Sequence, residues 1–201
     1  MRRAGLAILL TLAAVATAGP AAAFDGQRRG FALEVGLGGG AIPAETLYPR
    51  GGYQDEVYRE RSSLWTRFRA GVGLGDRWLL HYVNDVGWTK TDLQFDRNVL
   101  YATTSTGLGV TYFLRSAAPS LGFETGLGLS TSGAFQSGGG YFHRGSGPAL
   151  WIGPAYEFAP GWIARATVGW AGVAEHWLYF GTEPDPNQTT AVGLTVGRAW
   201  Y

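Results

Sequence analysis

Seven charged residues stand singly inside stretches that are otherwise apolar or small: the acids Glu34, Asp85, Glu124 and Glu157 and the arginines Arg67, Arg69 and Arg165. Gathered in one interior they would pair as ions, because each is costly to bury alone. Lining an open path, the arginines would select anions. His81 and Ser105 would make a base and a nucleophile if the fold joined them. Glu175, His176, Glu183 and Asp185 fall within one polar stretch and could offer donors to a hard cation. Solvated loop acids are the plainer reading, and no metal is expected. His143 stands beside Arg144 without an evident partner. Gly138, Gly139 and Gly140 follow no strand-to-helix signal, so they do not read as a phosphate cradle. There is no cysteine, which excludes thiol chemistry and Cys-based metal sites. No cofactor is expected. A formal net charge of +1 gives no strong pull on nucleic acid.

These residues must be positioned by strands. Period-2 alternation runs through the chain after its first residues, and no segment sustains a period of 3.6. Phe31, Leu33, Val35 and Leu37 alternate with Ala32, Glu34, Gly36 and Gly38. Leu64, Thr66, Phe68, Ala70 and Val72 alternate with Trp65, Arg67, Arg69 and Gly71. The rhythm continues through segments near 78–88, 100–114, 121–129, 149–158, 162–170 and 192–200. The connections near 75–77, 115–120 and 159–161 are short and rich in turn residues. Those near 40–63, 89–98, 131–147 and 174–189 are longer and polar. Eight strands joined by alternating short turns and long loops predict an antiparallel up-and-down barrel.

The start of the chain has a different character. Met1-Arg2-Arg3 is positive, Ala4 to Ala18 is apolar, and Ala21-Ala22-Ala23 offers a cleavage site. Residues 1–23 are expected to be a secretory signal peptide and residues 24–201 one barrel domain.

The two faces differ in a way that assigns them. One carries Phe, Leu, Val, Ile, Trp and Tyr with almost no charge, as lipid contact demands. The other carries Gly, Ser, Thr and Ala with the seven isolated charges, which suits a crowded narrow lumen better than water. Aromatic residues gather at segment ends: Phe31, Trp78, Tyr112, Tyr156, Phe158, Trp162 and Trp200 toward the turns, and Trp88 and Trp170 toward the loops. Amphipathic rings favour the bilayer interface. The last strand, with Val192, Leu194 and Val196 facing lipid, is expected to close the barrel against Phe31–Gly39. Trp200 shares that parity. Tyr201 does not, which calls for a late bulge or a place in the interface.

In signal peptide, strand number, loop asymmetry and terminal aromatic, the chain resembles the small eight-stranded outer-membrane barrels of the OmpA/OmpX type. The resemblance implies a Gram-negative outer membrane, secretion across the inner membrane and insertion by the barrel-assembly machinery. Some eight-stranded barrels are lipid A deacylases with a His-x-Ser motif. Here Leu178 stands two residues after His176, where the serine would be, so the nucleophile is absent.

The expected function is a structural or cell-surface role with a plugged lumen and no catalysis. A narrow solute channel is the first alternative and a lipid A-modifying enzyme the second. The seven charges would form the plug. In the first loop, Tyr48, Tyr53, Tyr58, Arg59 and Arg61 are candidate contacts for an extracellular ligand or for lipopolysaccharide phosphates. The partners expected are outer-membrane lipid and lipopolysaccharide, with no nucleic acid, and the chain should be a monomer.

Overall fold

The computed structural model describes residues 28–50, 53–93, 96–135, 141–175 and 186–201. The proposed signal peptide and His176, Leu178, Glu183, Asp185 and Gly138–Gly140 lie outside them. Eight strands follow in order: β1 (Arg29–Arg50), β2 (Tyr53–Leu74), β3 (Trp78–Leu93), β4 (Asp96–Phe113), β5 (Ser120–Phe135), β6 (Tyr141–Ala159), β7 (Trp162–Glu175) and β8 (Pro186–Trp200). Each pairs antiparallel with the next, and β8 returns to β1, so the sheet closes on itself. Closure gives every strand two neighbours and leaves no edge within the belt.

The pleat sorts the side chains as the alternation requires. Leu127, Leu194 and Leu108 are 68, 63 and 61% exposed, and large apolar residues cover the outside of all eight strands. In water this continuous surface would be prohibitive; against acyl chains it is matched. Trp78 packs tilted on Tyr112 (4.6 Å) and Phe158 on Trp162 (6.5 Å) at the short-turn end, and Trp88 stacks near Phe135 (6.2 Å) at the other. Trp78 and Trp88 bound a stretch of β3 that, tilted as in membrane barrels, rises about 25 Å. That is the height of an outer-membrane apolar band.

Three sequence expectations change. The long connections are largely strand: β1 and β2 stay paired to Arg50↔Tyr53, and β3 and β4 to Leu93↔Asp96. A ladder started in the membrane can continue into water without an apolar face, so its polar residues looked like loop. The closing pair is Leu33–Ala41 on β1 against Trp200–Val192 on β8, two residues above the expected Phe31–Gly39, because closure imposes a stagger. Tyr201 sits neither at a bulge nor in the interface. Simple alternation carries its ring into the lumen, where it is 3% exposed.

The short turns use glycine where the backbone requires it. Gly75 and Gly161 have φ of 119° and 73°, left-handed values that other residues adopt at a cost.

Candidate functional site: the sealed lumen

The interior has three tiers. At the short-turn end Ala32, Leu79, Phe113, Ala155, Ile163, Ala199 and Tyr201 form an apolar cluster. At the long-hairpin end Ile42, Ala44, Trp65, Val99, Tyr101 and Ala134 form a second. Between them lies a layer of charge.

Arg67 organises one half of that layer. Its Nε and Nη2 donate to Asp85 Oδ1 and Oδ2 at 2.8 and 2.6 Å, a bidentate pair between β2 and β3. Its Nη1 donates to Thr195 Oγ1 (2.9 Å) and Nη2 also to Thr167 Oγ1 (2.7 Å), which carries the guanidinium across the lumen to β8 and β7. Arg165 organises the other half. Its Nε and Nη2 donate to Glu34 Oε1 and Oε2 at 3.0 and 2.8 Å, and its Nη1 to Glu124 Oε2 at 2.6 Å. Arg69 joins the halves: it donates to Glu34 Oε1 (3.3 Å) and to Glu124 Oε1, and lies 3.8 Å from Asp85 Oδ2. Bidentate geometry and short charge-assisted bonds offset the desolvation that burial imposes.

Glu157, the seventh charge, stands apart from these six. It pairs at the short-turn end with Arg28, through Arg28 Nε at 2.7 Å and through Nη2. The other Glu157 oxygen accepts from the backbone N–H of Gly161 at 2.7 Å. Arg28 Nη1 donates to the carbonyls of Asp76 (3.1 Å) and Arg115 (2.6 Å), and the guanidinium lies 3.9 Å above the Phe113 ring. Arg28 precedes the first strand, so alternation offers no signal for it. Its inclusion makes the buried charge of the described lumen neutral: Arg28, Arg67, Arg69 and Arg165 against Glu34, Asp85, Glu124 and Glu157.

Two lumen tryptophans narrow the upper half, and both have the parity of the polar face. A Cβ at Gly193 would stand 2.7 Å from Trp65 Cδ2, and one at Gly126 would overlap the Trp151 indole, so each ring lies on a glycine. The remaining space is small. A cavity of about 20 Å³ lies among Trp65, Asp85, Ser105, Ser130 and Trp151, and one of about 10 Å³ beside Glu34, His81 and Tyr201. These are of water size.

The same arrangement disposes of the His81–Ser105 pair. His81 aligns with Gly109 and Ser105 with Asp85, so the two residues are four positions apart along the ladder. His81 lines the lower cavity and Ser105 the upper, with the ion layer between them. His81 therefore cannot act as a base on that serine. Among the described residues no cluster of His, Cys, Asp or Glu is arranged for a metal.

The other candidates lie on the hairpins. Tyr48 is on β1, and Tyr53, Tyr58 and Arg59 are on β2; their side chains are outside the described set. Arg61 is half-buried near the root of that hairpin.

No family model and no curated protein matches the chain. Solved structures similar to it include neisserial surface protein A (16% identity, TM-score 0.49, covering 85% of this chain and 96% of that one). Ail, the attachment invasion locus protein of Yersinia pestis, in complex with the heparin analogue sucrose octasulfate, shares 13% identity (TM-score 0.49, 85% and 99% covered). The outer-membrane protein OprG of Pseudomonas aeruginosa also shares 13% (TM-score 0.45, 88% and 98%). By its own ladder, belt and interior, the chain is an eight-stranded antiparallel transmembrane β-barrel with a packed lumen.

Proposed function

We propose that this protein is an integral outer-membrane barrel of a Gram-negative bacterium that serves a structural or cell-surface role, with its long hairpins outside and its short turns in the periplasm. It is neither a channel nor an enzyme. The observation that supports this best is Arg67, whose side chain is fully buried and tied to three other strands at the centre of the barrel. An ion crossing the lumen would have to break this layer, which is bonded within itself. The hairpins are then the part left free to meet other molecules, and loops on a rigid scaffold are where recognition resides. Tyr48, Tyr53, Tyr58, Arg59 and Arg61 are the residues we assign to such contacts. Outer-membrane lipid and lipopolysaccharide are the surroundings, and the barrel-assembly machinery inserts the chain as a monomer.

The test is conductance of the refolded protein in a planar bilayer, beside fractionation of cells with heat-modifiable gel mobility. The expected result is an outer-membrane protein with a mobility shift and no steady current. Reproducible unitary steps would overturn the sealed-lumen reading, and a soluble chain with no shift would overturn the membrane assignment.

A further inference from the structure

The barrel wall parts on both sides of the β1–β2 hairpin: the β1–β8 ladder stops at Ala41↔Val192, and the wider consequence is on the β3 side. The β2–β3 ladder runs from Gly73↔Leu79 to Leu64↔Trp88 and stops there. Both strands continue upward, β2 paired with β1 as far as Tyr53 and β3 paired with β4 as far as Leu93. Only a side chain bridges the split among the hydrogen bonds described: Thr89 Oγ1 donates to Ser62 O at 2.8 Å. The cause lies on the inner side. Ile42 and Ala44 of β1 are 1% and 0% exposed in the upper apolar cluster with Val99, Tyr101 and Ala134 of β4 and β5. A Cβ at Gly87 of β3 would stand 2.7 Å from the Ile42 methyl. The β1–β2 hairpin is thus drawn over the mouth of the barrel, and its outer side comes away from β3.

The result is an outward-facing cleft of about 670 Å³ lined by Glu60, Arg61, Leu64, Trp88, Lys90 and Leu100. Leu64, opposite Trp88, and Leu100, opposite Lys90, are both exposed. The Trp88 indole is fixed, its Nε1 donating to Thr66 Oγ1 at 2.9 Å. Lys90, the one lysine of the sequence, is exposed on the same face, two residues above Trp88. The cleft therefore lies at the upper aromatic level, where hydrocarbon gives way to headgroups.

We propose that this cleft holds the phosphorylated sugar headgroup of an outer-leaflet glycolipid. Lys90 meets the phosphate as a point charge. Trp88 offers a face to the sugar, Glu60 accepts from its hydroxyls, Leu64 takes the first part of an acyl chain, and Leu100 flanks the headgroup beside Lys90. Leu64 and Trp88 stand below Lys90, and that order, apolar below and cationic above, is the order of such an amphiphile. The site rests on the orientation proposed above, with the long hairpins outside.

The experiment compares binding of bisphosphorylated hexa-acyl lipid A to the refolded full chain in zwitterionic detergent by native mass spectrometry. Wild-type protein should carry one lipid A. Lys90→Glu should bind about tenfold more weakly, the change expected from one lost charge-assisted contact. Lys90→Arg should stay close to wild type, and lipid A stripped of its phosphates should bind as weakly as the Glu variant does the intact lipid. Arg77→Glu, at the other end of the barrel, should bind as wild type does. Equal binding by wild type and Lys90→Glu would overturn the proposal, as would an equal loss in Arg77→Glu. Heat-modifiable mobility shows that each variant is folded. This comparison is read in detergent, so a chain found outside the outer membrane would defeat the proposed function without deciding the binding result.

Discussion

The lumen holds two ionic sites built in different ways. In the central layer six side chains from β1, β2, β3, β5 and β7 share one another's charges; Arg69 reaches three carboxylates and Arg165 two. At the short-turn end a single carboxylate meets a single guanidinium, and backbone groups supply the remaining bonds. In the first, every charge depends on other side chains. In the second, Arg28 keeps two carbonyls and an aromatic face whatever happens to Glu157. A shared network should fail more severely than a pair whose members have backbone partners.

The largest expected effect tests the shared layer. Arg165→Met removes the bidentate partner of Glu34 and one of the two arginines bonded to Glu124, and should destabilise the barrel by about 3–5 kcal/mol, read from urea unfolding in detergent by the loss of the compact gel band. A loss no greater than that of Glu157→Gln would break the comparison.

Glu157→Gln should cost about 1–3 kcal/mol, because Arg28 stays hydrogen-bonded while one buried charge loses its counter-ion. Combining the two substitutions sharpens the contrast. Arg165→Met with Glu157→Gln should be additive to within about 0.5 kcal/mol, since the residues share no hydrogen-bond partner. Arg165→Met with Glu34→Gln should fall short of additivity by about 1 kcal/mol or more.

Gly193→Val, which leaves both ionic sites untouched, should cost about 1–3 kcal/mol by displacing Trp65. Tryptophan fluorescence should shift with it.

The smallest effect belongs to the exposed pair of Arg29 with Asp76 (2.5 and 2.9 Å) in the β2–β3 turn region. The Arg29 hydrogen bonds hold the Asp76 carboxyl below its ordinary range. Its small contribution is present at neutral pH and is lost as the pH falls through that lowered value. Asp76→Asn should therefore lower neutral stability only slightly, match wild type at the acid end, and flatten the fall between the two. A neutral-pH loss like that of Glu157→Gln would show that burial is not what separates strong from weak pairs here.

Much of this was legible in the residues. The period-2 pattern puts Glu34, Arg67, Arg69, Asp85, Glu124, Glu157 and Arg165 on the small-residue face, and all seven are buried in the structure. Trp65 and Trp151 carry the same parity and could have been read as lumen fillers by the same rule. The hairpins were less legible, because a ladder in water needs no apolar face and Thr46↔Val57 or Tyr48↔Asp55 carry no period that marks a strand.

By itself the sequence determined the strands, their two faces and which of those faces meets lipid, because a side chain's face follows from its place in the alternation. Arg67 meets Asp85 and Arg69 meets Glu34 across neighbouring strands, but which charges meet across the lumen was decided only by closure. The stagger that brings Leu33 opposite Trp200 sets the heights of all the inward groups. That stagger places Arg165 level with Glu34 and Glu124 and leaves Glu157 to Arg28, whereas the β3–β4 register separates His81 from Ser105. No local pattern contains it, because it belongs to the circumference of the whole barrel.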